Sequence, residues 1–273
     1  MAATYPQIVL FGDSLFQGAI EVADGFSFMA ALQSQVKRRF DVINRGFSGY
    51  NTSNALKVLP DIFPPAAPGG PKLECLFILF GANDACVPLP TNHQHVPLDR
   101  YKANLRGIIN HPNIVAHKPK IFLVTPPPLD QIRLTELDLA IGHKAVTRHT
   151  KVSATYSQAV REVATEQGVV LVDLWKALME RAISKTPNFD PTTGPSLGDP
   201  AGGRRGYLEQ LLPDGLHLSA ESYRIFYSLV EPLLGSEWAG TPDEARVGYI
   251  LPDWREAPWL DEDAHLADPA HQI

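Results

Sequence analysis

A serine, a histidine and an aspartate stand in settings that could support nucleophilic catalysis. Ser14 lies in a Gly-Asp-Ser-Leu stretch, and Asp214 precedes His217 by three residues in a Pro-Asp-Gly-Leu-His-Leu stretch. A serine hydroxyl becomes a good nucleophile when a base removes its proton, and histidine suits that task because it titrates near neutral pH. A carboxylate on the other ring nitrogen fixes the imidazole tautomer. The spacing predicts Ser14 as nucleophile, His217 as its base and Asp214 as the residue that orients the base.

A tetrahedral intermediate on Ser14 would also need hydrogen-bond donors for its negatively charged oxygen. The candidates are the backbone N–H groups of Ser14 and Gly46 and the side-chain amide of Asn83, which stands in a Gly-Ala-Asn-Asp stretch. Taken alone, each polar cluster could be a turn, a helix cap or a glycine with positive φ. Their joint presence favours a catalytic site over four unrelated turns.

The elements that must hold these residues follow from five short apolar runs. The runs do not alternate with polar residues, which is typical of parallel strands buried on both faces. They predict strands at Gln7–Phe11, Phe40–Ile43, Leu76–Phe80, Ile121–Val124 and Val169–Val172. Polar clusters follow the first three runs, and another precedes the last predicted helix. Because ligands of open parallel sheets bind beyond the carboxyl ends of the strands, the clusters should meet at one edge.

Helical patterns separate the predicted strands. Helices are predicted at Phe26–Arg38, Leu98–Ile109, His149–Gln167 and Ser219–Leu234, and loops at Pro60–Pro71, Thr125–Asp130 and Asn188–Gly206. Strands that alternate with helices predict a doubly wound α/β sheet with right-handed crossovers.

Composition excludes several classes of protein. Charged residues make up 20% of the chain and the formal net charge is −6, which argues against a nucleic-acid-binding surface. No apolar run is long enough to form a transmembrane segment. The two cysteines, Cys75 and Cys86, indicate neither a disulfide framework nor a zinc site. The N-terminus lacks the features of a signal peptide, so we expect a cytoplasmic protein.

The polar clusters resemble the signature blocks of the GDSL/SGNH hydrolases. The stretch around Ser14 is similar to the first block, Asn-Arg-Gly-Phe-Ser-Gly with Gly46 to the second, Gly-Ala-Asn-Asp with Asn83 to the third, and Asp214 with His217 to the fifth. The resemblance implies a flavodoxin-like three-layer fold with a five-stranded parallel sheet. It also implies a serine esterase that uses the catalytic residues named above and needs no cofactor or metal.

Three further stretches resemble the isoamyl acetate-hydrolysing esterases within that family. They are Val-Thr-Pro-Pro-Pro at Val124–Pro128, Gly-Ala-Asn-Asp-Ala at Gly81–Ala85 and Leu-Leu-Pro-Asp-Gly-Leu-His-Leu at Leu211–Leu218. This resemblance implies acetate esters of small alcohols as substrates, and a place in lipid degradation.

A small acyl pocket is expected from that resemblance. Bulky side chains near the catalytic clusters are candidates for its walls: Leu15, Phe47, Val87 and Leu216.

Several alternatives were weighed against this interpretation. An α/β-hydrolase would carry a Gly-x-Ser-x-Gly motif in a sharp turn between a strand and a helix. The chain has this pattern at Gly194–Gly198, but there it lies inside the predicted loop Asn188–Gly206 and follows no predicted strand. His93 and His95 have a spacing that could bind a metal, but they stand in a polar, Pro-flanked stretch that favours a solvated loop. The same machinery could serve a lysophospholipase, a thioesterase or a carbohydrate acetylesterase. A non-catalytic binding module would have no reason to keep the full set of catalytic residue types.

The chain is divided into residues 1–235, the hydrolase domain, and 236–273, an extension that packs on that domain or on a partner subunit in a possible homodimer. The extension is rich in large apolar side chains, which are costly to leave in water: Trp238, Tyr249, Ile250, Leu251, Trp254 and Trp259. We expect Val247–Leu260 to lie across the surface of this protein, or of a partner subunit, near the site entrance. The alternative is a strap that only covers core helices. The residues from Asp261 onward should be loosely held.

Overall fold

Five parallel strands form the central sheet of the computed structural model, which describes residues 5–90, 93–236 and 246–257. The strands are β1 (Gln7–Gly12), β2 (Asp41–Gly46), β3 (Leu73–Leu79), β4 (Lys120–Val124) and β5 (Val170–Val172). Their order across the sheet is β2-β1-β3-β4-β5, and every neighbouring pair is parallel. The predicted five-stranded parallel sheet is confirmed.

Helices cover both faces of the sheet. They are α1 (Ser14–Gln17), α2 (Phe28–Gln35), α3 (Thr52–Ile62), α4 (Leu98–Ile109), α5 (Pro112–Val115), α6 (Gln131–Ala140), α7 (Thr150–Gln167), α8 (Leu174–Lys185), α9 (Leu208–Leu211) and α10 (Ala220–Val230). Buried residues of α1, α2, α8, α9 and α10 pack in one apolar cluster, and those of α3, α4, α5 and α7 pack in a second. The result is the expected three-layer α/β fold.

The central strands explain the continuous apolar runs. Along β1, Ile8 and Leu10 face the first cluster, whereas Val9 and Phe11 face the second. Because successive side chains point to opposite faces and both faces are covered, neither set of positions can be polar.

The second strand is longer than its apolar run. It continues through Asn44 and Arg45 to Gly46, which pairs with Gly12 of β1. Prediction stopped it at Ile43 because the next residues are polar. These residues are nevertheless strand, and they bring the end of β2 level with the end of β1.

Several helix boundaries differ from the prediction. Helix α2 ends at Gln35 and not at Arg38, which adopts a left-handed conformation, with φ 64°, in the turn that leads into β2. The sequence did not predict helix α3, which contains Pro60 in its last turn, where a loop was expected to start, and ends two residues later.

The described part of the C-terminal extension, 246–257, packs against the turn that leads into β2. Arg39 Nε donates to the carbonyl oxygen of Val247 at 2.7 Å. The guanidinium groups of Arg38 and Arg39 lie 4.3 and 5.0 Å from the ring centroid of Tyr249. This turn precedes the amino end of β2, at the edge opposite the predicted site. Residues 246–257 therefore do not lie at the site entrance of their own chain. The segment from Asp261 onward, predicted to be loosely held, lies outside the described residues.

Burial of the tail's large side chains is only partial. Trp254 is 67% exposed, and Trp238 and Trp259 lie outside the described residues. The division of the chain after residue 235 stays a prediction.

Candidate active site

Ser14 stands where β1 passes into α1. Asp13 caps this short helix by accepting the Leu15 N–H on its Oδ1 at 2.9 Å. Ser14 is the first helical residue, and the first N–H groups of a helix have no partner within it. Its backbone N–H is thus oriented with the amides of the helix start, beside its own hydroxyl.

Ser14, His217 and Asp214 form one chain of hydrogen bonds. Ser14 Oγ lies 3.0 Å from His217 Nε2, and His217 Nδ1 lies 2.5 Å from Asp214 Oδ2. The other carboxylate oxygen, Oδ1, accepts the backbone N–H groups of Leu216 at 2.9 Å and His217 at 2.8 Å. Asp214 is therefore fixed by the turn that carries the histidine.

Gly215 makes that tight turn possible. Its φ is +89°, which favours glycine, and a Cβ at this position would lie 2.6 Å from the backbone oxygen of Asp130. The Asp130 N–H in turn donates to Gly215 O at 3.0 Å. The segment after β4 therefore holds the Asp-Gly-Leu-His turn at the carboxyl edge of the sheet.

The contact between Asp214 and His217 lowers the pKa of the aspartate and raises that of the histidine. Partial burial acts to raise the pKa of Asp214, but hydrogen bonds from the ring and backbone of His217 and the backbone of Leu216 outweigh it and hold this pKa well below its usual range. The hydrogen bond to Asp214 raises the pKa of His217, while burial acts in the opposite direction. The pair thus consists of an ionised aspartate and a histidine made more basic than usual.

Asn83, the side-chain donor predicted for the oxyanion, lies in the turn that follows β3 and is 4% exposed. Its Nδ2 donates to Tyr50 O at 2.9 Å. Its Oδ1 accepts from Gln94 Nε2 at 3.2 Å and from Arg148 Nη2 at 2.8 Å. Since an amide nitrogen carries two hydrogens, one N–H remains for a ligand. Sequence analysis missed Arg148, and no local pattern marks it.

Gly46 is not available as an oxyanion donor, which corrects the prediction. Its N–H donates to Asn44 Oδ1 at 2.8 Å. A Cβ at Gly46 would lie 2.0 Å from the backbone nitrogen of Gln17, so this glycine is required for close packing of β2 against α1. The Asn44 side chain thus occupies the Gly46 N–H, and α1 occupies the space beside its Cα.

Gly49 is the better candidate for that role. It sits at the third position of a turn closed by the bond from Tyr50 N to Phe47 O at 3.1 Å, and its φ is +82°. A side-chain Cβ would meet only Gln94 Nε2, at 3.5 Å. Gln94 also binds Asn83, so the turn adjoins the Asn83 amide. Among the described residues, no acceptor takes the Gly49 N–H.

Two buried carboxylates lie under the site. Asp13 and Asp84 are both fully buried, and one oxygen of each finds no hydrogen-bond partner in the part of the chain that the structure describes. Burial raises the pKa of Asp13 to about 7, against the lowering effect of the Leu15 N–H. Burial likewise raises the pKa of Asp84 to about 6, although Thr52 donates to it from both its hydroxyl and its backbone.

One of the two histidines considered as metal ligands binds the protein backbone. His95 Nδ1 lies 2.7 Å from Cys86 O. In residues 5–90, 93–236 and 246–257, no three His, Cys, Asp or Glu side chains are grouped as a metal site. Over the same ranges, no helix has the length and apolar character required to span a bilayer.

Comparison with known proteins decides the family. Residues 10–225 match the GDSL-like Lipase/Acylhydrolase family. The chain belongs to that family. A GDSL esterase/lipase of Arabidopsis thaliana is 33% identical over 88% of this chain and 90% of its own length. An isoamyl acetate-hydrolyzing esterase 1 homolog of Mus musculus is 31% identical over 93% of this chain and 89% of its own.

Solved structures of GDSL-type hydrolases agree with the fold. The acetylxylan esterase Axe2 of Geobacillus stearothermophilus has a TM-score of 0.57 at 20% identity, covering 87% of this chain and 98% of that one. A lipase/acylhydrolase of Enterococcus faecalis also gives 0.57, at 22% identity, covering 84% and 95%. Family membership makes the protein a carboxylic ester hydrolase.

The expected pocket walls of this GDSL hydrolase differ in exposure. The side chain of Leu15 is 1% exposed and packs in the first apolar cluster, and its place in the acyl pocket stays a prediction. Leu216 is 7% exposed, whereas Phe47 and Val87 are half-buried. Phe47 stacks on Tyr50, with ring centroids 5.1 Å apart. The roles of Phe47, Val87 and Leu216 stay predictions.

Proposed function

We propose that the protein hydrolyses short-chain acyl esters, chiefly acetate esters of small alcohols, with Ser14 as nucleophile. The observation that carries this proposal is the hydrogen-bonded chain from Ser14 Oγ to His217 Nε2 at 3.0 Å and from His217 Nδ1 to Asp214 at 2.5 Å. That geometry lies within the range required for proton transfer between a nucleophile and its base.

In the first half-reaction, Ser14 Oγ attacks the ester carbonyl carbon while His217 Nε2 takes its proton. Asp214 stabilises the imidazolium. The carbonyl oxygen becomes negatively charged and accepts hydrogen bonds from the backbone N–H groups of Ser14 and Gly49 and from Asn83 Nδ2. His217 then returns its proton to the departing alcohol oxygen, and an acyl-Ser14 ester remains.

In the second half-reaction, a water molecule attacks the acyl group while His217 Nε2 takes its proton. The same donors stabilise the second tetrahedral intermediate. Its collapse breaks the bond to Ser14 Oγ, which receives the proton from His217. The products are a carboxylic acid and the free enzyme, so no cofactor or metal is needed to balance the reaction.

Preference for a short acyl group is supported by two observations. Relatives named as isoamyl acetate-hydrolyzing esterase 1 homologs align over most of this chain. Bulky residues also stand close in sequence to the candidate catalytic groups, since Phe47 and Tyr50 stack in the turn that contains Gly49 and Leu216 precedes His217. We expect these side chains to limit the length of the acyl group.

The decisive experiment is hydrolysis of p-nitrophenyl acetate by the wild type and by Ser14→Ala. We expect the variant to lose at least a thousandfold in kcat while its melting temperature stays within a few degrees, because the hydroxyl is removed from a rim position. Ser228→Ala, an exposed serine on α10, is the matched control and should behave as wild type. Unchanged turnover in folded Ser14→Ala would refute the proposal.

Substrate class is tested by an ester panel that varies acyl and alcohol length separately. We expect rates to fall steeply beyond short acyl chains, while branched alcohols of four to five carbons remain good leaving groups. Faster cleavage of long-chain, thioester or acetylated-sugar substrates would instead favour a lysophospholipase, a thioesterase or a carbohydrate acetylesterase. A homodimer, a cytoplasmic location and a role in lipid degradation stay predictions, and size-exclusion chromatography tests the first.

A further inference from the structure

Arg148 reaches the catalytic edge from the segment between α6 and α7. Its Nη2 donates to Asn83 Oδ1 at 2.8 Å, its Nε donates to Ala82 O at 2.8 Å, and its Nη1 donates to Thr147 Oγ1 at 3.3 Å. The guanidinium therefore binds two consecutive residues of the turn that carries the candidate oxyanion donor. All of these acceptors are neutral groups.

The contact with Arg148 settles which way the Asn83 amide faces. Asn83 Oδ1 accepts from Arg148 and from Gln94 Nε2 at 3.2 Å. A flipped amide would set its NH2 group against these two donors and its oxygen against the carbonyl oxygen of Tyr50. In the observed orientation Nδ2 gives one hydrogen to Tyr50 O, and the second hydrogen is available to the reacting oxygen.

The backbone of Arg148 is fixed on the same segment that follows Asn83. Arg148 forms an antiparallel bridge with Cys86, and Val87 N donates to Thr147 O at 2.8 Å. Thr147 N donates in turn to Asp138 Oδ2 at 2.6 Å. A guanidinium held at its base and at its tip has few alternative positions, which is the condition for orienting another group accurately.

The charge of Arg148 adds to this effect. Burial lowers the pKa of Arg148, but arginine stays protonated in proteins. A hydrogen bond from a cation to an amide oxygen draws electron density from the amide nitrogen, and so strengthens the remaining N–H as a donor. The same charge acts to lower the pKa of His217, against the larger raising effect of Asp214. Arg148 therefore influences both the oxyanion donor and the base.

We propose that Arg148 is a positioning residue for Asn83, which it orients and polarises so that the free Nδ2–H meets the oxyanion of the tetrahedral intermediate. The proposal rests on the esterase function proposed above. Since the effect passes through Asn83 and develops with the negative charge, it should appear in kcat rather than in KM.

The test is a double-mutant cycle with Arg148→Met, Asn83→Ala and the double variant on p-nitrophenyl acetate. Active sites are counted by labelling Ser14 with a fluorophosphonate, so that kcat refers to folded enzyme. We expect Arg148→Met to lower kcat roughly 10- to 100-fold with little change in KM. In the Asn83→Ala background the same substitution should have almost no further effect, because its target is gone.

Further variants keep the test decisive. Arg161→Met removes another part-buried arginine, paired with Asp173 after β5, and should leave kcat unchanged. Arg148→Lys keeps the charge but loses the planar set of donors, so its kcat should lie between those of the wild type and Arg148→Met. If Arg148→Met does not fold, Arg148→Lys takes its place in the cycle. The apparent pKa of kcat/KM should also rise in Arg148→Met.

Three results would overturn the proposal. Arg148→Met and Asn83→Ala could lower kcat independently of each other, or Arg148→Met could change only KM, or it could keep a normal kcat per labelled site. Failure of the esterase function would look different, because the wild type would then lack activity that depends on Ser14.

Discussion

Asp214 binds His217 twice, through the ring and through the backbone. Its Oδ2 lies 2.5 Å from His217 Nδ1, and its Oδ1 accepts the backbone N–H of the same residue at 2.8 Å. The double contact fixes the carboxylate relative to both the main chain and the imidazole. It also places a permanent negative charge against one ring nitrogen, which leaves the other, Nε2, as the proton acceptor for Ser14.

Activity should rise with pH along a single titration of His217. The base works only when neutral, and the hydrogen bond to Asp214 raises the pKa of His217 above its ordinary value of 6.5. We therefore expect the midpoint of kcat/KM for p-nitrophenyl acetate to lie above 6.5, with activity lost as the pH falls through it. A midpoint clearly below 6.5 would contradict this electrostatic picture.

The matched variant for the pH profile is Asp214→Asn. An amide next to Nδ1 favours the tautomer that carries its proton on Nε2, where it cannot accept from Ser14. We expect a loss of roughly 10⁴ in kcat that persists at pH 9. Full recovery at high pH would mean that Asp214 only adjusts the pKa of the histidine.

Replacing Asn83 should impair turnover far more than binding. Asn83→Ala removes a donor to charge that develops only in the transition state, so kcat should fall about 10²- to 10³-fold. Asn83→Asp is the sharper variant, because the carboxylate still accepts from Arg148 yet offers no N–H. It should remain folded by its melting curve and be at least as inactive. If either variant changed only KM, Asn83 would be a ground-state binding residue.

Replacement by alanine should destabilise the fold more at Gly46 than at Gly49. In Gly46→Ala the new Cβ meets the Gln17 backbone at 2.0 Å, and backbone cannot yield, so we expect roughly 3 kcal/mol or more of lost stability. Gly49→Ala has room, and its cost is the left-handed conformation, about 1–2 kcal/mol. Urea unfolding ranks the two, and kinetics of folded Gly49→Ala should show a lower kcat. A more severe loss of stability in Gly49→Ala would reverse the assignment.

These two glycines also mark the limit of what the sequence could predict. The apolar runs and the polar clusters behind them were sufficient for the sheet and for the edge where Ser14, Asn83 and His217 meet. Choosing the oxyanion glycine required knowing that β2 continues through polar residues to Gly46 and that the side chain of Asn44 accepts the Gly46 N–H. The polar residues Asn44 and Arg45 ended the predicted strand, although in the structure they pair with β1.

Contacts over long sequence distances were beyond prediction for a different reason. Arg148 and Asn83 are 65 positions apart, and neither periodicity nor a turn signal relates them. The same holds for the tail, whose aromatic residues predicted packing on a surface near the site entrance. Tyr249 instead lies against Arg38 and Arg39, a contact of more than 200 positions that no sequence pattern indicates.

The buried carboxylates should make the fold less stable as the pH rises. Burial raises the pKa of Asp13 from 3.8 to about 7 in the folded chain. Between those values the folded state holds a proton that the unfolded state has released, so the free energy of unfolding decreases with increasing pH. Asp84 acts in the same direction over a narrower window, since its folded pKa is about 6.

Asp13→Asn tests this linkage. The amide oxygen can still accept the Leu15 N–H that caps α1, while the titration is removed. Between pH 5 and 8 the variant should lose roughly 2 kcal/mol less stability than wild type, measured by urea unfolding at each pH. Because the comparison is of slopes, a constant cost of the substitution does not affect it. Parallel slopes in the two proteins would show that Asp13 does not ionise in this range.

Truncation after Ser236 should lower stability without altering catalysis. It removes the two cation–π contacts of Tyr249 and the hydrogen bonds from Arg38 and Arg39 to the tail backbone. Exposed cation–π pairs contribute about 0.5–1 kcal/mol each, so we expect a melting temperature several degrees lower. Because these contacts lie at the amino edge of the sheet, kcat and KM of the folded enzyme should match wild type.

Tyr249→Ala separates this stacking from the rest of the tail and should reproduce part of the loss in melting temperature. A changed KM for the alcohol portion of the ester would instead place the tail at the site, and an unchanged melting curve would show that its contacts contribute nothing.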